Sequence, residues 1–373
     1  MTTTSAGRPT FAAIDAAALR ENFALLRRTV PATVGVLAVV KADGYGHGAA
    51  LVAPVLAAAG AERFGVSTVE EGIELRAVGV RQPILVLTGA TGGDVAALCE
   101  HRLAVAILHR EMARELAAAL GTRRLGVHLK IDTGMGRIGV FPGDLPALLD
   151  ELRAARCFTV DGVFSHFANA DSVNREFSDY QLKVFRQALE ILHAAGERPR
   201  CVHLANSAGT LTRPDAHFSM VRPGIILYGV PSAPTVPPTG LRPAMRLVTR
   251  VLQIKAVPSE FPVSYGQTFV TRRPSLIATV PIGYADGYDR ALSNRASVLV
   301  RGRRAPVVGA VCMDLTLIDV TEVPGVALGD EVVLWGRQDG AEISVAEVAE
   351  WQGSVTYEVL TRLGKRVPRV LVQ

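Results

Sequence analysis

The chain has 373 residues, 49% of them hydrophobic, a length at which two domains, each with its own core, are expected. The formal net charge is only +5, and the basic runs at 301–304 and 362–369 contain no aromatic residues, which argues against a nucleic-acid-binding protein. Four widely spaced cysteines without a C-x-x-C pair predict neither a disulfide framework nor a metal site, and they favour the reducing cytoplasm.

The N-terminal segment lacks the basic region and the apolar stretch of a signal peptide. The long uncharged stretch that follows Arg222 is interrupted by five prolines up to Pro238, so it does not predict a membrane span. We therefore expect no contact with a membrane.

From residue 33 to about 230, short β-branched runs alternate with Ala- and Leu-rich amphipathic segments, which predicts a parallel sheet covered by helices. The candidate strands are 33–41, 63–68, 83–89, 103–108, 125–132, 159–167, 201–206 and 217–222. Eight strands favour an α/β fold with an N-terminal (β/α)8 TIM-like barrel, while counting alone leaves a doubly wound sheet open.

The proline-rich segment 230–243 interrupts this alternation and is typical of a linker. Beyond it the apolar runs are separated by turn residues, and helical patterns occur only near 344–364. We therefore predict a barrel domain over 1–240 and a mainly β C-terminal domain over 241–373.

The segment AVVKADGYGHG (38–48) places Lys41 between a buried run and three alternating glycines. The spacing G-x-G-x-G does not match a dinucleotide fingerprint, and a P-loop has its lysine after the glycines. Two interpretations remain open: Lys41 reaches water at a strand end, or burial lowers its pKa so that the amine forms a Schiff base with an aldehyde cofactor.

Chemistry-bearing side chains recur at the predicted strand ends, where barrel enzymes place their sites. They are Lys41, Lys130, Asp132, Ser165, His166, Asn206, Ser207 and Arg222. The segments NSAGT and RPGII, beyond the last two strands, offer helix N-terminal amides for a phosphate. A lysine with a phosphate site favours pyridoxal 5′-phosphate. His203 is interpreted as a structural core residue, and the three charges in KIDTGMGRIGV (130–140) predict an ionic network.

Eight segments in order give the chain a resemblance to the alanine racemases, pyridoxal-phosphate enzymes with a barrel of fold type III and a β domain. The segments are VVKADGYGHG, KIDTGMGRIG, HLANSAG, VRPGIILYG, SYGQTF, IGYADGY, CMD and YEVL, and together they span nearly the whole chain. The resemblance implies an isomerase that interconverts L- and D-alanine in a homodimer and supplies D-alanine for peptidoglycan.

The resemblance also implies a role for individual residues. Lys41 would bind the cofactor and serve as one catalytic base, and Tyr265 of the partner subunit would be the other. The cofactor would be bound by Tyr45, Arg137, His166, Asn206, Ser207, Arg222, Gly224, Ile225 and Tyr357, and the substrate by Arg137, Met313 and Tyr284. Lys130 would position Arg137, and it is carbamylated in many members of the family.

Three other functions share some of these sequence features. A broad-specificity amino-acid racemase would share all of these segments. A basic amino-acid decarboxylase would have a glutamate where this chain has Arg222, and a pyridoxal-phosphate carrier protein would lack the residues from 241 to 373. Racemisation of alanine by two bases is therefore the expected function.

Overall fold

The computed structural model describes residues 8–232 and 240–373, so half of the predicted linker 230–243, namely 233–239, lies outside the described residues. The described residues form two compact units, one over 18–242 and the other combining 8–17 with 243–373. The sequence placed residues 8–17 with the barrel. The structure places them in the C-terminal unit because β1 (Phe11–Asp15) pairs with two strands of that unit's main sheet.

The barrel unit is built on one sheet of eight parallel strands in the order β8-β7-β6-β5-β4-β3-β2-β9. The strands are β2 (Gly35–Val39), β3 (Arg63–Val66), β4 (Ile84–Val86), β5 (Leu103–Ile107), β6 (Leu125–Lys130), β7 (Phe158–Phe164), β8 (Cys201–His203) and β9 (Met220–Val221). Each overlaps one of the eight candidate strands, so the predicted (β/α)8 barrel is confirmed and the doubly wound sheet is wrong.

The ring of strands is closed between β8 and β9 by single hydrogen bonds instead of a continuous ladder. The amide of Ser219 donates to the carbonyl of Val202 over 3.2 Å, and that of Arg222 donates to Ala205 over 2.8 Å. The second of these bonds fixes the backbone of Arg222 just beyond the carboxyl end of β9.

Helices alternate with the barrel strands and cover them. Their bounds are Ala16–Thr29, Ala49–Ala58, Val69–Ala77, Val95–Glu100, Arg110–Leu120, Leu145–Ala155, Glu176–Ala194 and Ser207–Thr212. Helix Arg110–Leu120 illustrates why they form, since its buried residues Met112, Ala113, Leu116 and Leu120 recur at the spacing of one helix face. Within the described residues, no helix is both long enough and apolar enough to cross a bilayer.

The C-terminal unit is mainly β, as predicted. Its strands beyond β1 are β10 (Met245–Arg250), β11 (Gln253–Val257), β12 (Pro262–Val263), β13 (Phe269–Val270), β14 (Ser275–Val280), β15 (Ser297–Val300), β16 (Arg303–Pro306), β17 (Thr316–Asp319), β18 (Glu331–Gln338), β19 (Ala341–Ile343) and β20 (Arg369–Val372). The main sheet has the order β16-β15-β18-β10-β1-β20, with β19 paired to β18. Two helices, Val345–Gln352 and Thr356–Thr361, follow β19.

Candidate active site

Lys41 lies directly beyond β2, where the chain makes a left-handed helical turn. Ala42, Asp43, Gly44 and Tyr45 all have positive φ, between 52° and 62°, a conformation that costs about 1–2 kcal/mol per residue for L-amino acids other than glycine. The turn is held by surrounding groups, since the carboxylate of Glu71 accepts from the Ala42 amide over 2.6 Å. A strained conformation supported in this way is typical of a functional site.

The turn carries the Tyr45 side chain to the segment that follows β9. Its hydroxyl lies so close to Gly224 that a Cβ on this glycine would collide with it. The Gly224 amide donates to the Ser207 hydroxyl over 2.9 Å. Tyr45, Ser207 and Gly224, from three separate loops, therefore form one cradle, and Ile225 begins the 3-10 helix beside it.

Asn206 takes part in this cradle indirectly. Its side-chain oxygen accepts from the Gly209 amide over 2.9 Å and so caps the helix that begins at Ser207. Its side chain therefore fixes the position of the helix start, where Ser207 is presented.

Four cationic side chains surround the carboxyl ends of the strands. Burial, followed by the charge of Arg137, lowers the pKa of Lys41. Burial, followed by the charge of Arg222, lowers the pKa of Lys130 to about 7. Burial lowers the pKa of Arg222 to about 9, so its guanidinium remains charged at neutral pH. Lys41 and Lys130 therefore have an increased neutral fraction, which is the form in which an amine is a nucleophile.

The turn at 130–140 differs from the prediction. The Lys130 amine donates to the Ile131 carbonyl over 2.8 Å, and the Asp132 carboxylate accepts from the amides of Gly134 and Gly136. In the described residues no direct ion pair joins Lys130, Asp132 and Arg137, so the unmodified side chains do not form the predicted ionic network. Backbone donors satisfy the buried carboxylate, because the glycine turn brings two amides to it.

Arg222 is 4% exposed and organises a buried network. Its guanidinium donates to the carbonyls of Ser165 (2.6 Å) and His203 (2.8 Å), to Nδ1 of His203 (3.0 Å) and to Nδ1 of His166 (3.2 Å). His203 in turn contacts His128, with 2.8 Å between Nε2 and Nδ1. The cation also lies over the Phe164 ring, 5.3 Å from its centroid.

The chemistry of arginine fixes the protonation of these imidazoles. A guanidinium can only donate, so Nδ1 of both His203 and His166 must accept and their protons must lie on Nε2. His203 then donates to His128, whose proton also lies on Nε2. Burial, followed by the charge of Arg222, lowers the pKa of His166 and of His203, which agrees with neutral rings.

Sequence reasoning missed two members of this network and one support of the lysine turn. His203 was interpreted as a structural residue, and neither His128 nor Glu71 was singled out. His128 and His203 are consecutive members of the network although 75 residues separate them in the chain. The only signal available was that each lies in a strand whose neighbours are apolar.

This network makes a prediction about pH and stability. Burial, followed by the charge of Arg63, lowers the pKa of His128 to about 3. Between pH 6.5 and 3, His128 binds a proton in the unfolded chain but stays neutral in the folded chain. The free energy of unfolding therefore falls as the pH falls across that window. The expected loss is about 1.4 kcal/mol per pH unit for each such histidine.

We therefore expect His128→Asn, which keeps an acceptor for His203, to lose part of the acid sensitivity. The measurement is the free energy of unfolding in urea at several pH values from 7 to 4. His109→Asn, at a surface histidine that caps helix Arg110–Leu120, is the control. Equal pH dependence in the wild type and in His128→Asn would contradict the assignment.

The remaining predicted site residues lie in the C-terminal unit. Tyr265, 72% exposed, begins a 3-10 turn. Tyr284 and Met313 are neighbours, because the amides of Tyr284 and Ala285 donate to the carbonyls of Cys312 and Met313, both over 3.0 Å. Tyr357 lies in the helix Thr356–Thr361. All four expose a large part of their side chains.

The donor set of the barrel site has a definite preference. Hydroxyls and amides form the cradle, while Lys41, Arg137 and Arg222 supply positive charge, so the residues fit a phosphate ester with further acceptor atoms. The neutral fraction of Lys41 fits an aldehyde on the same molecule. The site can therefore hold an anionic aldehyde by one covalent bond and several charge-assisted hydrogen bonds.

Comparisons with known proteins agree with this chemistry. The models of the N-terminal and C-terminal domains of alanine racemase match residues 14–232 and 244–371. The alanine racemase of Symbiobacterium thermophilum is 46% identical and that of Geobacter sulfurreducens 44%, each alignment covering 97% of both chains.

Solved structures give the same result. The alanine racemase of Bacillus anthracis, crystallised with bound L-Ala-P, has a TM-score of 0.95 and 37% identity, with 99% of this chain and 96% of that chain covered. The alanine racemase of the D-cycloserine producer Streptomyces lavendulae has a TM-score of 0.94 and 37% identity, with 99% and 98% covered. The chain thus belongs to the alanine racemase family, the isomerases that interconvert L-alanine and D-alanine.

Proposed function

We propose that this chain racemises alanine with pyridoxal 5′-phosphate bound at the carboxyl end of its barrel, and that it supplies D-alanine for peptidoglycan. The observation that carries this proposal is the position of Lys41, a lysine of lowered pKa that shares the barrel end with a cradle of hydroxyl groups and backbone amides.

Each part of the site would bind one part of the cofactor. Tyr45, Ser207 and the amides of Gly224 and Ile225 would hold the phosphate, together with Tyr357. Lys41 would hold the carbonyl carbon. Arg222 would donate to the ring nitrogen and, because its guanidinium stays charged, would not transfer its proton there.

The protein's own part in the reaction is to move a proton at the substrate's α-carbon. When bound, pyridoxal phosphate supplies an electron sink that stabilises the negative charge developing at this carbon. Lys41 would remove or return the proton on one face and Tyr265 on the other, so that the product has the opposite hand. His166, whose Nε2 carries a proton, would link Arg222 to Tyr265.

Lys130 offers a further chemical step. Its pKa of about 7 leaves a large neutral fraction, and a neutral amine adds to carbon dioxide, forming an N–C bond and releasing one proton. The resulting carbamate anion would pair with Arg137 and position it for the substrate and cofactor. Carbon-13 NMR after equilibration with labelled bicarbonate should show a carbamate signal that is absent in Lys130→Arg. The same signal in both proteins would exclude this lysine.

We propose that the protein acts as a homodimer in which Tyr265, Tyr284 and Met313 of each subunit complete the partner's site. Their exposure in the single chain supports this arrangement, because apolar and aromatic side chains that project from a surface are typical of interfaces. A shared site would also explain why one catalytic base lies outside the barrel unit.

Chemical trapping tests the cofactor assignment directly. Borohydride reduction of protein loaded with pyridoxal phosphate should convert the lysine linkage to a stable amine, and peptide mass analysis should place the label on Lys41. Lys130, also of lowered pKa in the same barrel, is the internal control and should remain unlabelled. Label on Lys130, or on neither lysine, would overturn the assignment.

A further inference from the structure

The opposite end of the barrel contains a cavity that the racemase reaction does not use. It is lined where strands begin, by Arg63, Ile84, Leu103 and Leu125 at the first residues of β3, β4, β5 and β6. Because the strands are parallel, this end faces away from Lys41 and Arg222, which lie beyond the carboxyl ends. We call this space, with a volume of about 440 Å³, the basal cavity.

The basal cavity has a strong excess of positive charge. Arg63, Arg102, Arg124 and Arg200 line it, with Asp161 as its single carboxylate. In the part of the chain that the structure describes, none of these arginines has a carboxylate within ion-pair distance. Four cations and one anion together produce a positive potential, which attracts a multiply charged anion.

A neighbouring arginine illustrates how the protein can satisfy a guanidinium without a carboxylate. Arg76 donates to the carbonyls of Val80, Gln82 and His101 over 2.7–2.8 Å, so its guanidinium is satisfied by the protein itself. Burial, followed by the charge of Arg102, nevertheless lowers the pKa of Arg76. The positive charges of Arg76 and Arg102 therefore repel each other.

The backbone conformation at Arg102 determines which substitution is suitable for a test. Its φ is 50°, in the left-handed region that favours glycine, at the turn that follows helix Val95–Glu100. Glycine at this position would therefore remove the charge of Arg102 without straining the backbone. Arg102 also lines a second, adjoining cavity of about 710 Å³ with Arg76 and Arg81, which extends the basic surface.

We propose that the basal cavity binds a small phosphate-bearing anion that carries at least two negative charges. Guanidinium groups match phosphate oxygens with paired, charge-assisted hydrogen bonds. The apolar side chains of Ile84, Leu98 and Leu103 form part of the wall. The site is separate from the cofactor cradle and does not depend on the proposed function.

Calorimetric titration with inorganic pyrophosphate tests the proposal. The protein is used with pyridoxal phosphate bound, so that the cradle around Ser207 cannot accept the probe. We expect saturable binding at one site per chain, weakened by added salt. Arg102→Gly should reduce the affinity about tenfold, through loss of a charge-assisted contact, while relieving the left-handed backbone and preserving the fold.

Arg156→Gly is the matched control. Arg156 also has a positive φ, 56°. It lies just before β7, at the same end of the barrel, but it does not line the basal cavity. Arg156→Gly removes the same charge from the same backbone conformation, and the affinity for pyrophosphate should be unchanged. Asp161→Asn, which removes the opposing charge, should tighten binding about threefold.

Three results would overturn the proposal. The first is no heat of binding, and the second is equal weakening by Arg102→Gly and Arg156→Gly, which would show only general attraction to a basic surface. The third is citrate binding as tightly as pyrophosphate, which would show that the site takes any polyvalent anion and has no preference for phosphate.

Discussion

Lys41→Ala should abolish racemisation from both L-alanine and D-alanine, with a fall in rate of roughly 10⁴-fold or more, because one residue provides both the covalent attachment and a base. A loss confined to one direction is not expected, since a proton taken by either base must be returned by the other. The measurement is a chiral assay of the purified protein started separately from each enantiomer.

The fold should survive this substitution. Burial lowers the pKa of Lys41, so its charged form is less stable in the folded protein than in water, and removing it should leave the free energy of unfolding unchanged or slightly higher. Lys183→Ala, in helix Glu176–Ala194, removes an exposed lysine and should keep full activity. Residual racemisation by Lys41→Ala above a hundredth of the wild-type rate would contradict the role of this lysine.

Most of the architecture was predictable from sequence because it depends on local patterns. Eight strands with intervening amphipathic segments indicated the barrel, and polar residues just beyond them, such as Lys41 and Arg222, indicated the end at which chemistry occurs. The carboxyl ends of parallel strands meet at the same end of a barrel, whatever the length or conformation of the loops. The cradle was therefore accessible to sequence reasoning before any distance was known.

The features that were missed depend on long-range pairing. β1 is a short apolar strand with no local sign that it pairs with β10 and β20, so its place in the C-terminal sheet could not be read from its residues. The contact between His128 and His203 needs the register of β6, β7 and β8. In the turn after β6, the opposite charges of Lys130 and Asp132 suggested an ion pair. In the structure, backbone amides donate to the Asp132 carboxylate instead.

Mixing two inactive variants should restore activity if the site is shared between subunits. Lys41→Ala and Tyr265→Ala are each expected to be inactive alone. In a mixed dimer, one site would lack both groups and the other would contain Lys41 from one subunit and Tyr265 from its partner. Random assortment predicts about a quarter of the wild-type activity, because half of the dimers are mixed and half of their sites are intact.

The alternative geometry gives a different number. If Tyr265 served the barrel of its own chain, every site in every dimer would lack one of the two groups, and the mixture would remain inactive. A mixture of Tyr265→Ala with the double variant Lys41→Ala/Tyr265→Ala is the control, since no pairing can then supply both groups. Activity in the first mixture alone would therefore require both a dimer and a tyrosine that acts across it, which is the arrangement that the exposed side chain of Tyr265 supports.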